Sequence, residues 1–265
     1  MTMIELTERH KLKNIYTRSK QSNQPLDLFP GLANSPAIGI ILGKAKIRKS
    51  MMGMMAGFAA TGAVKFLGKT VAGKPRQVLY IDFELSENGF GARAVRMLKD
   101  DNLPDGFYRV EGTEWIDPFE DGILIGKKLN AAVYQKLEAT IRKYCIDLVI
   151  IDPLYMLLED ENDNGSMKRV LAGFRVIVNK TKCDIIIIHH IGKEKSVQWD
   201  DPFSVARGAS SLGGFVDWVF AIEGRHNNQA VLHLGARYFE ASDPIPMRFC
   251  GESLMWLPAD DRLAA

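Results

Sequence analysis

A lysine and a serine stand side by side at Lys49 and Ser50, and a glycine precedes them at Gly43, in the run Gly43-Lys44-Ala45-Lys46-Ile47-Arg48-Lys49-Ser50. Its form, G-x-x-x-x-R-K-S, is one residue away from the phosphate-loop signature G-x-x-x-x-G-K-[ST]. Such spacing serves the binding of a nucleoside triphosphate. Backbone N–H groups at the start of a helix face the phosphate oxygens. Lys49 reaches the β- and γ-phosphates as a mobile cation, and the Ser50 hydroxyl is a small neutral ligand for Mg²⁺. The second glycine of the signature is replaced by Arg48. That glycine lets the loop wrap closely around the β-phosphate, so a residue with a Cβ either changes the loop geometry or turns its side chain outward. A basic surface turn would have a similar composition. The flanks favour the phosphate loop: a short apolar run at 37–42, and a proline-free stretch at 49–63, rich in Met, Ala and Gly, that reads as a buried helix.

Acids at strand ends are the second ingredient. Leu148-Val149-Ile150-Ile151-Asp152 is four apolar residues followed by a carboxylate. Ligands of open α/β sheets bind at this edge, and Asp152 there would hold magnesium through water, unless it merely caps the next turn. Val78-Leu79-Tyr80-Ile81-Asp82-Phe83-Glu84 ends in two acids, which strict alternation puts on one side of the strand. Glu84 is the better candidate to orient an attacking water; the alternative for both is a solvated strand end or a helix cap. Residues 185–188 run into His189 and His190. A zinc pair lacks a third ligand at suitable spacing. What remains is a hydrogen-bonding sensor of the γ-phosphate or a core histidine satisfied internally.

The elements that must position these groups follow from the hydrophobic pattern. Strand runs at 37–42, 78–83, 147–151 and 184–189 alternate with helical stretches at 49–63, 86–99, 131–143 and 167–180. Alternation of this kind implies an α/β fold with parallel strands and crossover helices. The fully apolar runs 148–151 and 185–188 belong at the sheet centre. The last third is mostly strand, at 215–222, 230–234 and 248–257, without a long helix between. Residues 1–30 form a basic arm and linker, with Lys11, Lys13, Arg18 and Lys20. The arm is either a loose extension or a segment that docks on a neighbouring subunit, and 31–265 form the domain.

Composition excludes little but is consistent with this reading. A chain of 265 residues, 46% hydrophobic and 25% charged, can bury a sizeable core as one α/β domain. Its formal charge of +2 gives no overall signal for nucleic acid, so any basic surface is local. Cys145, Cys183 and Cys250 have no pairing or zinc spacing, which suits a reducing cytoplasm. No secretory signal is legible, and the apolar runs are too short to cross a bilayer.

The motifs in this order resemble the RecA-like ATPases, and within them the RepA-type hexameric replicative helicases of plasmids. The resemblance spans about residues 25–250. It rests on the loop from Gly43 to Ser50, on Tyr80-Ile81-Asp82-Phe83-Glu84, on the strand ending at Asp152, on Ile188-His189-His190, and on Val205-Ala206-Arg207-Gly208-Ala209-Ser210-Ser211. It implies a RecA-like P-loop core: a mostly parallel twisted sheet flanked by helices, with antiparallel strands toward the C-terminus. It further implies ATP and Mg²⁺ as ligands, Glu84 as the catalytic glutamate, and His190 or His189 as the γ-phosphate sensor. The RepA-type arginine that reaches a neighbour's site has no clear counterpart near Asp217 and Trp218. Arg237, in Leu234-Gly235-Ala236-Arg237-Tyr238, sits where related ring helicases place a basic finger.

The function expected from this resemblance is an ATP-driven motor on single-stranded DNA, working as a homo-oligomeric ring, a hexamer. Residues 192–204, with Lys193, Lys195 and Trp199, and residues 159–169, with Lys168 and Arg169, would face the channel. Lysines near an aromatic can hold a backbone and stack a base. The alternatives are a recombination or loading protein that binds DNA without unwinding it, and a nucleotide switch with little turnover, for which Arg48 is the best support.

Overall fold

The computed structural model describes residues 27–71, 73–98, 103–116, 119–120, 123–124, 129, 131–158, 164–191, 197–207 and 214–259. The chain opens with a short antiparallel pair, β1 (Asp27–Phe29) and β2 (Ala33–Asn34). Residues 27–29 lie within the stretch read as an arm, yet Leu28 and Phe29 are buried in the core. Next come β3 (Ile38–Gly43), α1 (Lys49–Ala60), β4 (Val78–Asp82), α2 (Glu87–Met97), β5 (Phe107–Glu111) and the single turn α3 (Gly112–Trp115). A small ribbon, β6 (Phe119–Glu120) with β7 (Ile123–Leu124), precedes α4 (Ala131–Tyr144), β8 (Leu148–Asp152), α5 (Asn164–Thr181) and β9 (Asp184–His190). The chain ends with α6 (Pro202–Arg207), β10 (Trp218–Gly224), β11 (Gln229–Ala236), β12 (Ile245–Cys250) and β13 (Met255–Pro258).

One nine-stranded sheet organises the molecule, in the order β13-β12-β11-β10-β3-β9-β8-β4-β5. The six strands from β10 to β5 run parallel, and β11, β12 and β13 continue antiparallel from β10. This is the architecture expected for a RecA-like core. The central strands are buried on both faces, which explains why their sequences are continuously apolar. Along β8 and β9, Ile150, Ile186 and Ile188 pack with α1 and α2, whereas Val149, Ile151, Ile185 and Ile187 pack with α4 and α5.

α1 is apolar nearly all round because it is enclosed: the sheet lies beneath it and β13 packs against it. Its approach to the sheet is so close that a Cβ on Gly53 would stand 2.4 Å from Ile188, and one on Gly57 would stand 2.7 Å from Phe107. At the opposite, N-terminal edge of the parallel strands, three carboxylates satisfy the first N–H groups of neighbouring strands. Asp147 accepts from Gln77 N at 2.9 Å, Asp184 from Ala37 N at 2.7 Å, and Asp217 from Ile38 N at 2.7 Å. Among the described residues no helix is long and apolar enough to cross a membrane.

Candidate active site

The carboxyl ends of β3, β4, β8 and β9 gather the groups singled out in the sequence. β3 ends at Gly43, and the chain turns through residues 44–48 into α1. Gly43 has no room for a side chain, since a Cβ there would lie 2.7 Å from the Ile47 side chain. Lys46 (φ 65°) and Arg48 (φ 63°) are left-handed, while the residues between and around them keep negative φ. Such alternation turns successive N–H groups toward one concavity, a geometry that suits an anion. Lys44, Ala45, Lys46 and Arg48 are exposed and Ile47 half-buried.

Lys49 begins α1 and is 5% exposed. Its ammonium donates to the Lys44 carbonyl and to His190 Nδ1, both at 2.9 Å. Because the ammonium has only donors, His190 Nδ1 accepts, and the proton of the neutral ring sits on Nε2. Burial lowers the Lys49 pKa to about 8, against the opposing pull of Asp152 and then Glu84. Both carboxylates therefore share this ammonium's field. The strand alternation decides between the two histidines: His190 is on the α1 face with Lys49, and His189 is on the opposite face. His189 is buried, its Nδ1 has no hydrogen-bond partner among the described residues, and burial, His190 and Lys49 lower its pKa to about 4. It is a neutral ring at physiological pH.

Asp152 closes β8 at 3% exposure. Burial raises its carboxyl to about 6, opposed by hydrogen bonds from Tyr80 and Ser50, while Glu84 and Asp82 add to the rise. The Tyr80 hydroxyl donates to Asp152 Oδ2 at 2.5 Å. Tyr80 is a buried member of β4, and this role was missed in the sequence. The available signal was a tyrosine two residues before Asp82, on the strand face turned toward the loop helix. The Ser50 hydroxyl and the Asp152 carboxylate form a small hard-oxygen donor set, which suits Mg²⁺.

The two acids after β4 separate into different environments. Alternation was expected to keep Asp82 and Glu84 on one side of a strand, but the strand ends at Asp82. Asp82 Oδ1 accepts from Glu84 N at 3.0 Å and Leu85 N at 3.1 Å, and Oδ2 meets Arg109 at 3.3 Å. Asp82 is thus consumed as the cap of the turn, and Glu84 is projected beyond it, exposed. The Tyr155 hydroxyl, on the turn Leu154–Leu157, donates to Glu84 Oε1 at 3.2 Å. A cavity of about 350 Å³ adjoins Glu84 on the β5 side, lined by Phe83, Glu111, Thr113 and Met156 among others.

Arg237 is not brought to this cluster. It follows β11 at the N-terminal edge of the sheet, where its backbone N–H bonds the Asp217 carbonyl. Its side chain donates to Val216 O at 2.6 Å and lies over the Phe203 ring at 5.4 Å. Trp199, expected to offer a face to a base, is instead half-buried and stacked on His233 at 5.5 Å. Residues 159–163, 192–196 and 208–213, which include Lys193 and Lys195, lie outside the described residues. On the side of α5, Lys168 and Arg169 are exposed.

The chain is similar to known proteins in two respects. A family model, AAA_25, described as an AAA domain, matches residues 8–196. Among solved structures, the crystal structure of the RadB recombinase is similar over 89% of this chain and 97% of that one, with a TM-score of 0.57 and 14% identity, a likeness of fold. No curated protein matches the sequence. Since the family match runs from the N-terminal region through the histidine strand, and the fold around the loop is that of a RecA-like P-loop ATPase, the chain belongs to the AAA_25 family of AAA domains.

Proposed function

We propose that the protein hydrolyses ATP at the cluster of Lys49, Ser50, Glu84, Asp152 and His190, and that it uses this reaction as a ring-forming motor on single-stranded DNA of the RepA type. The observation that carries the hydrolytic reading is the convergence at one sheet edge of a phosphate loop, a buried ammonium, a hydroxyl–carboxylate pair and a separate exposed carboxylate. The loop N–H groups from Lys44 to Ser50 and the Lys49 ammonium bind the phosphates. Ser50 and Asp152 would hold the magnesium ion, whose charge, when bound, supports the negative charge that gathers on the leaving diphosphate. Glu84 orients a water for attack on the γ-phosphorus and takes its proton. The bond from the γ-phosphorus to the β–γ bridging oxygen breaks, and ADP and inorganic phosphate leave. His190, donating from Nε2, reads the γ-phosphate, because its Nδ1 is held by Lys49.

The motor reading rests on the resemblance of the motifs and on the position of Arg237. Among the cluster residues, Lys49 is the cation placed for the γ-phosphate. Arg237, at the other edge of the sheet, could serve only a neighbour's nucleotide. The likeness to a recombinase fold makes DNA binding without unwinding the second reading. ATP turnover measured with and without single-stranded DNA, beside strand separation of a forked duplex, tests both. Stimulation with unwinding supports the motor, and stimulation without it supports the recombinase-like reading. Lys49→Ala is expected to abolish nucleotide binding. Glu84→Gln is expected to bind ATP and lose about 10²-fold or more in turnover, the scale of a general base. Normal turnover in Glu84→Gln would remove that residue from the mechanism.

A further inference from the structure

The loop departs from its signature at Arg48, and the structure gives that departure a structural context. Arg48 holds a left-handed backbone, φ 63° and ψ 39°, as the residue that caps α1, without a side-chain cap bond. A glycine adopts this conformation freely, whereas a residue with a Cβ adopts it at a cost and holds it only where its surroundings fix it. Those surroundings come from the C-terminal antiparallel strands. The guanidinium donates to Asn228 Oδ1 at 2.8 Å and lies over the Phe249 ring at 4.3 Å. Trp256 Nε1 points at the Arg48 carbonyl at 3.4 Å. Asn228, with Asn227, forms the left-handed turn between β10 and β11, at φ 59° and 56°. The neighbouring loop residue is gripped from the same side, because Ile47 occupies the space where a Cβ on Gly224 would stand, 2.7 Å away.

We propose that Arg48 is a positioning residue, through which the β10–β11 turn and β12 hold the phosphate loop in its nucleotide-binding conformation, replacing the freedom of the missing glycine with an external brace. The side chain faces away from the loop concavity and acts through the backbone at 48 and 49. This rests on the reading of residues 43–50 as the nucleotide loop. It also gives the antiparallel extension of the sheet a part in nucleotide affinity, so that a movement of the turn reaches the phosphates.

The test is a titration of the full-length protein with a fluorescent nucleotide in the presence of magnesium, together with steady-state turnover and thermal melts. Asn228→Gly removes the acceptor and keeps a residue free to adopt the left-handed turn. It is expected to weaken nucleotide binding on the order of tenfold, the worth of one charge-assisted hydrogen bond, with the loss falling on KM rather than kcat. Arg48→Ala loses a similar amount. Arg48→Gly, which restores the signature, binds close to the parent, and in that background Asn228→Gly has no further effect. Equal weakening by Asn228→Gly in both backgrounds would overturn the brace, as would parent-like affinity in Asn228→Gly. Should Arg48→Ala fail to fold, the Asn228→Gly pair decides alone. Lys49→Ala separates the underlying assumption. If it binds nucleotide normally, the loop reading and this proposal fall together; if it does not bind while the Arg48 and Asn228 variants bind normally, only the brace falls.

Discussion

At the scale of single residues, the candidate site depends on groups that hold other groups. Tyr80 belongs to β4 and not to the phosphate loop, yet its hydroxyl fixes one oxygen of Asp152 while Ser50 meets the same carboxylate. A buried carboxylate without such donors is pushed toward its neutral form, and a neutral Asp152 is a poor partner for a cation. Tyr80→Phe is nearly isosteric and leaves the edge contact with Phe90 and the stacking on Phe107 in place. It is expected to raise the magnesium concentration needed for half-maximal nucleotide binding several-fold, and to cost about 1 kcal/mol of stability, as for a typical buried hydrogen bond. Titration of binding against magnesium checks this. An unchanged magnesium requirement would make Tyr80 a packing residue only. Glu84 shows the converse case: the role proposed for it requires exposure, and Asp82 provides it by capping the turn beneath.

At the scale of elements, the phosphate edge of the sheet is only as well placed as its opposite edge is pinned. Asp184 illustrates how that pinning works. It accepts from Ser35 Oγ and Ala37 N at the start of β3, and from Arg76 at 2.6 Å just before β4. One carboxylate therefore ties β9 to the strand bearing the phosphate loop and to the segment leading into the strand that precedes Glu84. The Asp184 side chain is 1% exposed, and that of Arg76 is 11% exposed. Removing one partner of such a pair leaves the other charge uncompensated, at about 3–5 kcal/mol. Asp184→Ala is expected to lower the stability measured by chemical denaturation by that amount, and Asp184→Asn, which keeps an acceptor for Ala37 N–H, by less. A loss under about 1 kcal/mol, the range of surface ion pairs, would contradict this account.

At the scale of the whole molecule, the proposed motor requires a second copy. Arg237 stands at the edge of the sheet opposite its own phosphate loop, so a role at a γ-phosphate can only be played across a boundary between subunits. A head-to-tail contact of that kind generates rings when its rotation closes. An arginine supplied to the transition state is worth about 10³–10⁵ in rate. Arg237→Ala is expected to bind ATP and hydrolyse it slowly. Mixing it with Lys49→Ala should recover part of the activity, since some interfaces would then join an intact loop to an intact arginine. Full-rate hydrolysis by a protein that stays monomeric with ATP and DNA in sedimentation would defeat the ring.

Several features were settled by the sequence alone, because they depend on local order. The apolar runs before Asp152 and before His189 became central strands, since a strand covered on both faces must be continuously apolar. The length of the Met- and Gly-rich stretch after Lys49 became an enclosed helix for the same reason. The motif order placed Lys49, Ser50, Asp152 and the pair His189 and His190 at one edge, because parallel strands joined by crossovers end on the same side. Other features were decided only by tertiary contacts. Pairing between distant strands put His190, and not His189, beside Lys49. The end of β4 at Asp82 broke the alternation that would have aligned Glu84 with it. Stacking on His233 removed Trp199 from the set of free aromatics. Most of all, the meaning of Arg48 lay some 180 residues away. An isolated loop sequence records that a glycine is missing, but only packing against Asn228, Phe249 and Trp256 shows what holds the backbone where the glycine would have been.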